Sequence, residues 1–171
     1  ARVRQEAETR LADWARAGFC ATAAPTYEEL QRCEYLEAVL RETLRLYPPG
    51  GTARLAPAGE SFDGWDIGGC IIYVSHYVLH RRPALWEAPD DFRPERFLEP
   101  TRDASVLDPF IFQPFSRGPR DCIGKYFAML EAKLALLVLL GAFEFEVVDP
   151  HETIKLVVTQ RPMHGARVRV R

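Results

Sequence analysis

No charge of either sign dominates this sequence: 22 Lys and Arg stand against 24 Asp and Glu, a formal net charge of −2. Without a Lys/Arg run it also lacks the electrostatic footprint of a nucleic-acid binder. Long apolar runs are missing too. The most apolar window, Leu134 to Phe143, is about half of the ~20 residues needed to span a bilayer. The opening Ala1-Arg2-Val3-Arg4-Gln5-Glu6 carries no targeting pattern. There is no C-x-x-C and no His pair in register with one, so tetrahedral zinc would lack its paired ligands. Four cysteines, Cys20, Cys33, Cys70 and Cys122, sit far apart in 171 residues. They read as free thiols of a reducing, intracellular compartment, and no spacing supports a Cys20–Cys33 bridge. What is present is an ordinary globular mixture, 47% hydrophobic and 27% charged, sufficient for one sizeable core.

Chemistry concentrates in Phe115-Ser116-Arg117-Gly118-Pro119-Arg120-Asp121-Cys122-Ile123-Gly124. Gly118-Pro119 interrupts regular structure and marks a turn. Beyond Gly124, the apolar run from Lys125 to Phe143 predicts a buried helix. A thiol just ahead of a helix N-terminus meets the positive end of the helix dipole. Arg117 and Arg120 add charge that favours the thiolate, the metal-ligating form. An isolated cysteine is by default an inert buried thiol. A nucleophile would need a nearby base, and the stretch has no His. A single thiolate on a helix-entry loop best suits haem iron, which needs one axial protein ligand on that side. Arg120 is then placed to pair with a propionate, and Gly124 to let backbone approach the porphyrin.

Phe115-x-x-Gly118-x-Arg120-x-Cys122-x-Gly124 resembles in full the haem-binding signature of the cytochrome P-450 family of haem-thiolate monooxygenases. Five fixed positions in ten residues make this signal specific. The resemblance implies Cys122 as the metal ligand, with Phe115, Gly118, Arg120 and Gly124 completing the site for heme b. It implies a mainly α fold with small β-sheets (α+β), from about the family's helix J through helix L and the terminal strands. Residues 1–171 are thus expected to form the C-terminal, haem-ligating part of one incomplete domain. The family's members are longer, and its distal helix, with an acidic residue and a threonine for proton delivery, has no counterpart here. The implied reaction inserts one oxygen atom of O2 into a small organic substrate. Its electrons come from NAD(P)H through a reductase or a ferredoxin-type partner. The isolated chain is expected not to turn over. A non-catalytic haem-binding module is the main alternative. A rearrangement enzyme on the same fold is a lesser one, because the signature carries no insertion. Membrane anchoring of a longer parent stays open.

Residues 1–19 place Val3, Ala7, Leu11, Trp14 and Ala15 at helical spacing and predict an amphipathic helix. Thr26-x-x-Glu29 is a capping box, and the pattern after it runs to Pro48-Pro49 with a break near Glu34. Glu42 and Arg45 share a helix face. By themselves they would form a weak surface pair, but Glu42-Thr43-Leu44-Arg45 resembles the family's E-x-x-R helix K. Pro94-Glu95-Arg96-Phe97 resembles its P-E-R-F element. The resemblance implies a buried Glu42–Arg45–Arg96 network that holds the meander, residues 98–114, and through it the cysteine loop. Arg54, in the extended piece Thr52 to Leu55, is by position a second propionate partner. Residues 61–75 predict strands of one small sheet with turns at Asp63-Gly64 and Gly68-Gly69, and Cys70 reads as a core strand residue. His76 and His80 sit four apart, a helical spacing that could suit a metal pair, but with no third ligand they read as packing or capping residues of a short helix. In the tail, 143–148, 154–158 and 166–170 predict strands, with Pro162-Met163-His164-Gly165 as the turn between the last two. Arg117 and Lys125 are candidate contacts for an acidic redox partner.

Overall fold

The alternating N-terminal pattern forms two helices rather than one in the computed structural model, which describes residues 1–19, 24–99, 104–106, 108–148, 154–156, 159–163 and 165–171. Helix α1 (Arg2–Arg10) and helix α2 (Ala12–Arg16) meet at Leu11, where φ is −124°. Leu11 and Trp14 are both buried across this break, with Ala7, against Leu30, Leu36 and Leu137. Core packing on both sides of a kink replaces the continuous helix that spacing predicted.

Helix α3 (Tyr27–Gln31) has the full capping box. Glu29 N donates to Thr26 Oγ1 at 3.3 Å, and Thr26 N donates to Glu29 Oε2 at 2.7 Å. The break near Glu34 is present, and helix α4 (Glu34–Leu46) follows it. Its free N-terminal amides are capped from a distance. Tyr35 N and Leu36 N donate to the two Glu6 oxygens at 2.7 and 2.8 Å.

Strand β1 (Thr52–Leu55) is followed by a tight hairpin, β2 (Ser61–Phe62) and β3 (Trp65–Asp66), and then by β4 (Ile71–Val74). Asp63 and Gly64 both take positive φ, 49° and 80°, as a two-residue I′ turn requires. Residues 61–75 do not form one sheet: β4 pairs antiparallel with β1, Thr52 opposite Val74 and Leu55 opposite Ile71. The reversal at Gly68-Gly69 carries the chain off the hairpin and onto that earlier edge. Cys70 is therefore not a core strand residue. It sits exposed on the turn, donating its N–H to Ile67 O at 2.9 Å and accepting from Ala56 N at 2.9 Å.

Helix α5 (His76–Leu79), a 3-10 turn at Pro94–Phe97 and another at Ala104–Val106 lead to helix α6 (Lys125–Ala142). A second core cluster, Ala38, Trp86, Phe97 and Val106, packs this irregular region onto α4. Helix α6 is not buried as its composition predicts. Only Lys133 and Leu137 are fully enclosed, whereas Tyr126 and Phe127 are 74% and 72% exposed. An all-apolar helix is buried only where neighbours cover every side, and here α3, α4 and α1 cover one. Lys133 lies on the covered side, donating to Leu30 O at 3.3 Å and pairing with Glu37 at 2.8 Å.

Strand β5 (Phe145–Val147) pairs with β8 (Val168–Val170), and β6 (Ile154–Leu156) with β7 (Gln160–Pro162). The predicted hairpin between 154–158 and 166–170 is thus replaced. Pro162 ends a strand of its own, and the last segment returns to β5. The result is a mainly α fold with small two-stranded sheets. Among the described residues no helix is long and apolar enough to cross a membrane.

Candidate functional site

Two charged residues one helical turn apart anchor the site. Glu42 and Arg45 have fully buried side chains, and Arg96 is 2% exposed. Arg45 grips the carboxylate with two bonds, Nε to Oε2 at 2.8 Å and Nη2 to Oε1 at 2.9 Å. Oε1 also accepts from Arg96 Nε at 3.2 Å and from Arg93 N at 2.8 Å. One carboxylate between two guanidiniums leaves a buried positive excess, and backbone oxygens absorb it. Arg45 donates to His80 O, Pro89 O and Asp91 O at 2.8, 2.7 and 3.1 Å. Arg96 donates to Glu87 O and Ala88 O at 2.6 and 2.7 Å. Carbonyls of an irregular segment, which no ladder would satisfy, thereby gain partners.

The following residues pack as rings. Phe97 and Phe112 have centroids 5.0 Å apart, with the Arg41 guanidinium 4.7 Å from the Phe97 centroid. Residues 100–103 and 107 of the predicted meander lie outside the described residues.

The cysteine loop closes on itself through Ser116 N to Gln113 O at 3.0 Å, Asp121 N to Gly118 O at 3.0 Å and Cys122 N to Phe115 O at 2.9 Å. Gly118 takes φ 87° and Ser116 takes φ 63°. The first needs glycine, and the second is an uncommon conformation for a side-chain-bearing residue. Cys122 is exposed and free, and Ile123 beside it is 100% exposed. A Cβ placed on Gly124 would meet only the Cys122 sulfur, at 4.0 Å. Cys122 is thus solvent-exposed beside an otherwise open space at Gly124. Asp121 and Lys125 pair at 2.6 Å across the entry to α6. Their hydrogen bond holds the carboxyl below its usual range and pushes the amine up.

Two uncharged contacts tie this loop to the scaffold. Thr52 Oγ1 of β1 lies 2.7 Å from Ser116 Oγ and 3.2 Å from His76 Nε2. His80 Nε2 accepts from Gln113 N at 3.1 Å. The two buried imidazoles stack with centroids 5.8 Å apart. Burial lowers the pKa of both, that of His80 to about 3, with His76, Arg45 and Arg81 adding to the effect there. Both are neutral near pH 7. Their Nδ1 atoms are buried without a well-formed hydrogen bond, although the Gly50 and Arg45 backbones draw the two pKa values partly back up. With no third ligand beside them, these histidines read from sequence as packing or capping residues. Their contact with Thr52 and Gln113 had no local signal.

Phe115 is half-buried at the head of the loop, and Arg120 is exposed near the sulfur in sequence. Arg54 is exposed on β1, donating to Ala53 O at 2.7 Å. Among the described residues no carboxylate pairs with Arg54 or Arg120. One exposed thiol and two guanidiniums without an acidic partner among the described residues suit a group that takes one thiolate ligand and carries acidic side arms. A polydentate metal site does not suit them: among the described residues no three His, Cys, Asp or Glu gather to hold an ion.

Comparison with known proteins gives the same direction. The family model described as Cytochrome P450 matches residues 1–164. Cytochrome P450 3A1 of Rattus norvegicus is 41% identical over 126 residues, 72% of this chain and 25% of that protein. Cytochrome P450 3A19 of Capra hircus aegagrus is 38% identical over 142 residues, 82% of this chain and 64% of that sequence. A solved structure described as the cytochrome P450DA heme domain superposes with TM-score 0.80 and 32% identity, covering 99% of this chain and 36% of that one. The chain thus spans about a quarter of the rat relative's length and about a third of the solved one.

Proposed function

The chain belongs to the cytochrome P450 family, and from that premise we propose that it forms the sulfur side of a haem-thiolate monooxygenase site. The observation that carries this reading is the exposed Cys122 thiol, held on a self-bonded loop, with open space around neighbouring Gly124. Cys122 would supply the thiolate to the iron of heme b, and Arg120 and Arg54 would pair with its propionates by charge-assisted hydrogen bonds. Gly118 makes the turn that aims the sulfur, Gly124 lets the backbone approach the ring, and Phe115 closes the loop through its carbonyl. Glu42, Arg45 and Arg96 fix the segment that carries the loop and touch no substrate. Haem b, when bound, supplies O2 activation with electrons from NAD(P)H through a reductase or ferredoxin-type partner, and one oxygen atom enters a small organic substrate. Backbone N–H groups around a thiolate tune such a ligand. Arg117, exposed on the loop, and half-buried Lys125 at the start of α6 form the surface an acidic redox partner would meet, although Lys125 also pairs with Asp121. Free Cys33, Cys70 and Cys122 accord with an intracellular setting.

By this reading the 171 residues do not turn over by themselves, since they span about a quarter of the rat relative's length. The deciding experiment is the ferrous–CO difference spectrum of the haem-loaded protein. The thiolate-type band is expected for the wild type and not for Cys122→Ser. Retention of that band by Cys122→Ser would overturn the ligand assignment. Product formation by the 171-residue chain with a reductase would overturn the division of labour.

A further inference from the structure

The loop that presents Cys122 borders a pocket. Arg41, Phe112, Gln113, Ser116, Asp121 and Met129 line this space of about 350 Å³, and Cys122 does not. Beside it, polar ties from other elements reach the loop. Two of these are the uncharged contacts from Thr52 and His80.

The direction of one follows from its donor: His80 Nε2 accepts the Gln113 N–H, so the proton of the neutral ring sits on Nδ1. His76 Nε2 lies 3.2 Å from Thr52 Oγ1, and the same oxygen lies 2.7 Å from Ser116 Oγ, where either hydroxyl can donate. The contacts run Ser116 to Thr52 to His76, one hydrogen bond at each step. It secures the residue that holds φ 63°, a conformation that persists only where the surroundings enforce it. Side chains alternate along a strand, so Thr52 and Arg54 share a face of β1. The residue that grips the loop and the arginine assigned to a propionate are thus carried on one face of one strand.

We propose that Thr52, Ser116, His76 and His80 are positioning residues that couple β1 to the cysteine loop. A displacement of β1, by whatever occupies the space beside Arg54, is passed to the loop through the Thr52–Ser116 bond and changes how the sulfur is aimed. The coupling is neutral, so salt does not screen it, unlike the surface ion pairs nearby. Its consequence for the iron rests on the haem-thiolate reading, but the mechanical link does not.

Two substitutions separate the link from simple packing. Thr52→Val keeps the shape and removes the hydroxyl, whereas Thr52→Ser restores it. Amide hydrogen exchange on the full chain is expected to be about fivefold faster for residues 113–122 in Thr52→Val, one lost hydrogen bond's worth. Thr52→Ser should stay within about twofold of wild type, and the β5–β8 pair should be unchanged in both. In the haem-loaded protein, Thr52→Val should lower the share of the thiolate-type ferrous–CO band, and Thr52→Ser should restore it. Unchanged exchange at 113–122 in Thr52→Val would overturn the proposal. So would a uniform rise across the chain, which marks a merely structural role. If the wild type shows no thiolate-type band, the haem reading fails while the exchange comparison still decides the link.

Discussion

Around Glu42, both carboxylate oxygens and two guanidiniums are committed to partners without solvent contact, and five backbone carbonyls absorb the surplus charge. Around Cys122 the thiol is free, Ile123 is wholly exposed, and two arginines have no acidic partner among the described residues. The first region uses charge to build, and the second keeps it in reserve. A buried pair broken at one end strands an ion, while a solvated group removed leaves only water. Substitutions in the frame should therefore change stability with little direct chemistry, and substitutions in the loop should do the reverse.

The largest effect is expected at Glu42. Glu42→Ala leaves Arg45 and Arg96 buried without a counter-charge, at a cost of about 3–5 kcal/mol. Urea denaturation followed by circular dichroism should show either that loss or no cooperative transition. A midpoint within error of wild type would break the comparison.

Acid comes next. Burial depresses His80 from 6.5 to about 3, so the neutral ring belongs to the folded state. Its contribution is full above about pH 6.5 and is lost as pH falls toward about 3, because the unfolded chain takes up the proton first. Stability at pH ~5 should fall by on the order of 2 kcal/mol from this group. His80→Gln, which keeps an acceptor for Gln113 N, should flatten the slope between pH 7 and 5. An equally steep slope in that variant would assign the acid loss elsewhere.

Cys122→Ser should change the unfolding free energy from urea denaturation by less than about 0.5 kcal/mol in the haem-free chain, as exposed substitutions do. The smallest stability change is expected for Arg120→Gln, with haem affinity about tenfold weaker, the loss of one charge-assisted bond. A folding defect as large as that of Glu42→Ala in either variant would erase the distinction between frame and loop.

The elements legible in the sequence were those whose cause is local. Thr26 and Glu29 stand three residues apart and cap one another, Asp63-Gly64 makes its own turn, and the spacing of Phe115 to Gly124 is a self-contained signature. Long-range partners were hidden. That β4 would leave its hairpin for β1, or β8 return to β5, depends on which edge is vacant, and no local pattern records that. Cys70 and α6 were misread for a related reason: apolar composition states what a residue tolerates, and neighbours decide what it receives. Glu6 capping α4 and Thr52 bonding Ser116 are contacts across 29 and 64 residues, visible only once the chain is folded.

Helix α6 has little to choose among its own faces, since nearly all are apolar, and such a cylinder could roll in its seat. Lys133 removes that freedom. Its ammonium reaches Leu30 O and Glu37 in the setting the helix adopts, so, with Phe19 packed against Gly141, it acts as a detent on the helix azimuth. Cys122 lies eleven residues upstream, just ahead of the first turn. The compass bearing of the sulfur is therefore set partly by a lysine two to three helical turns away, which never approaches it.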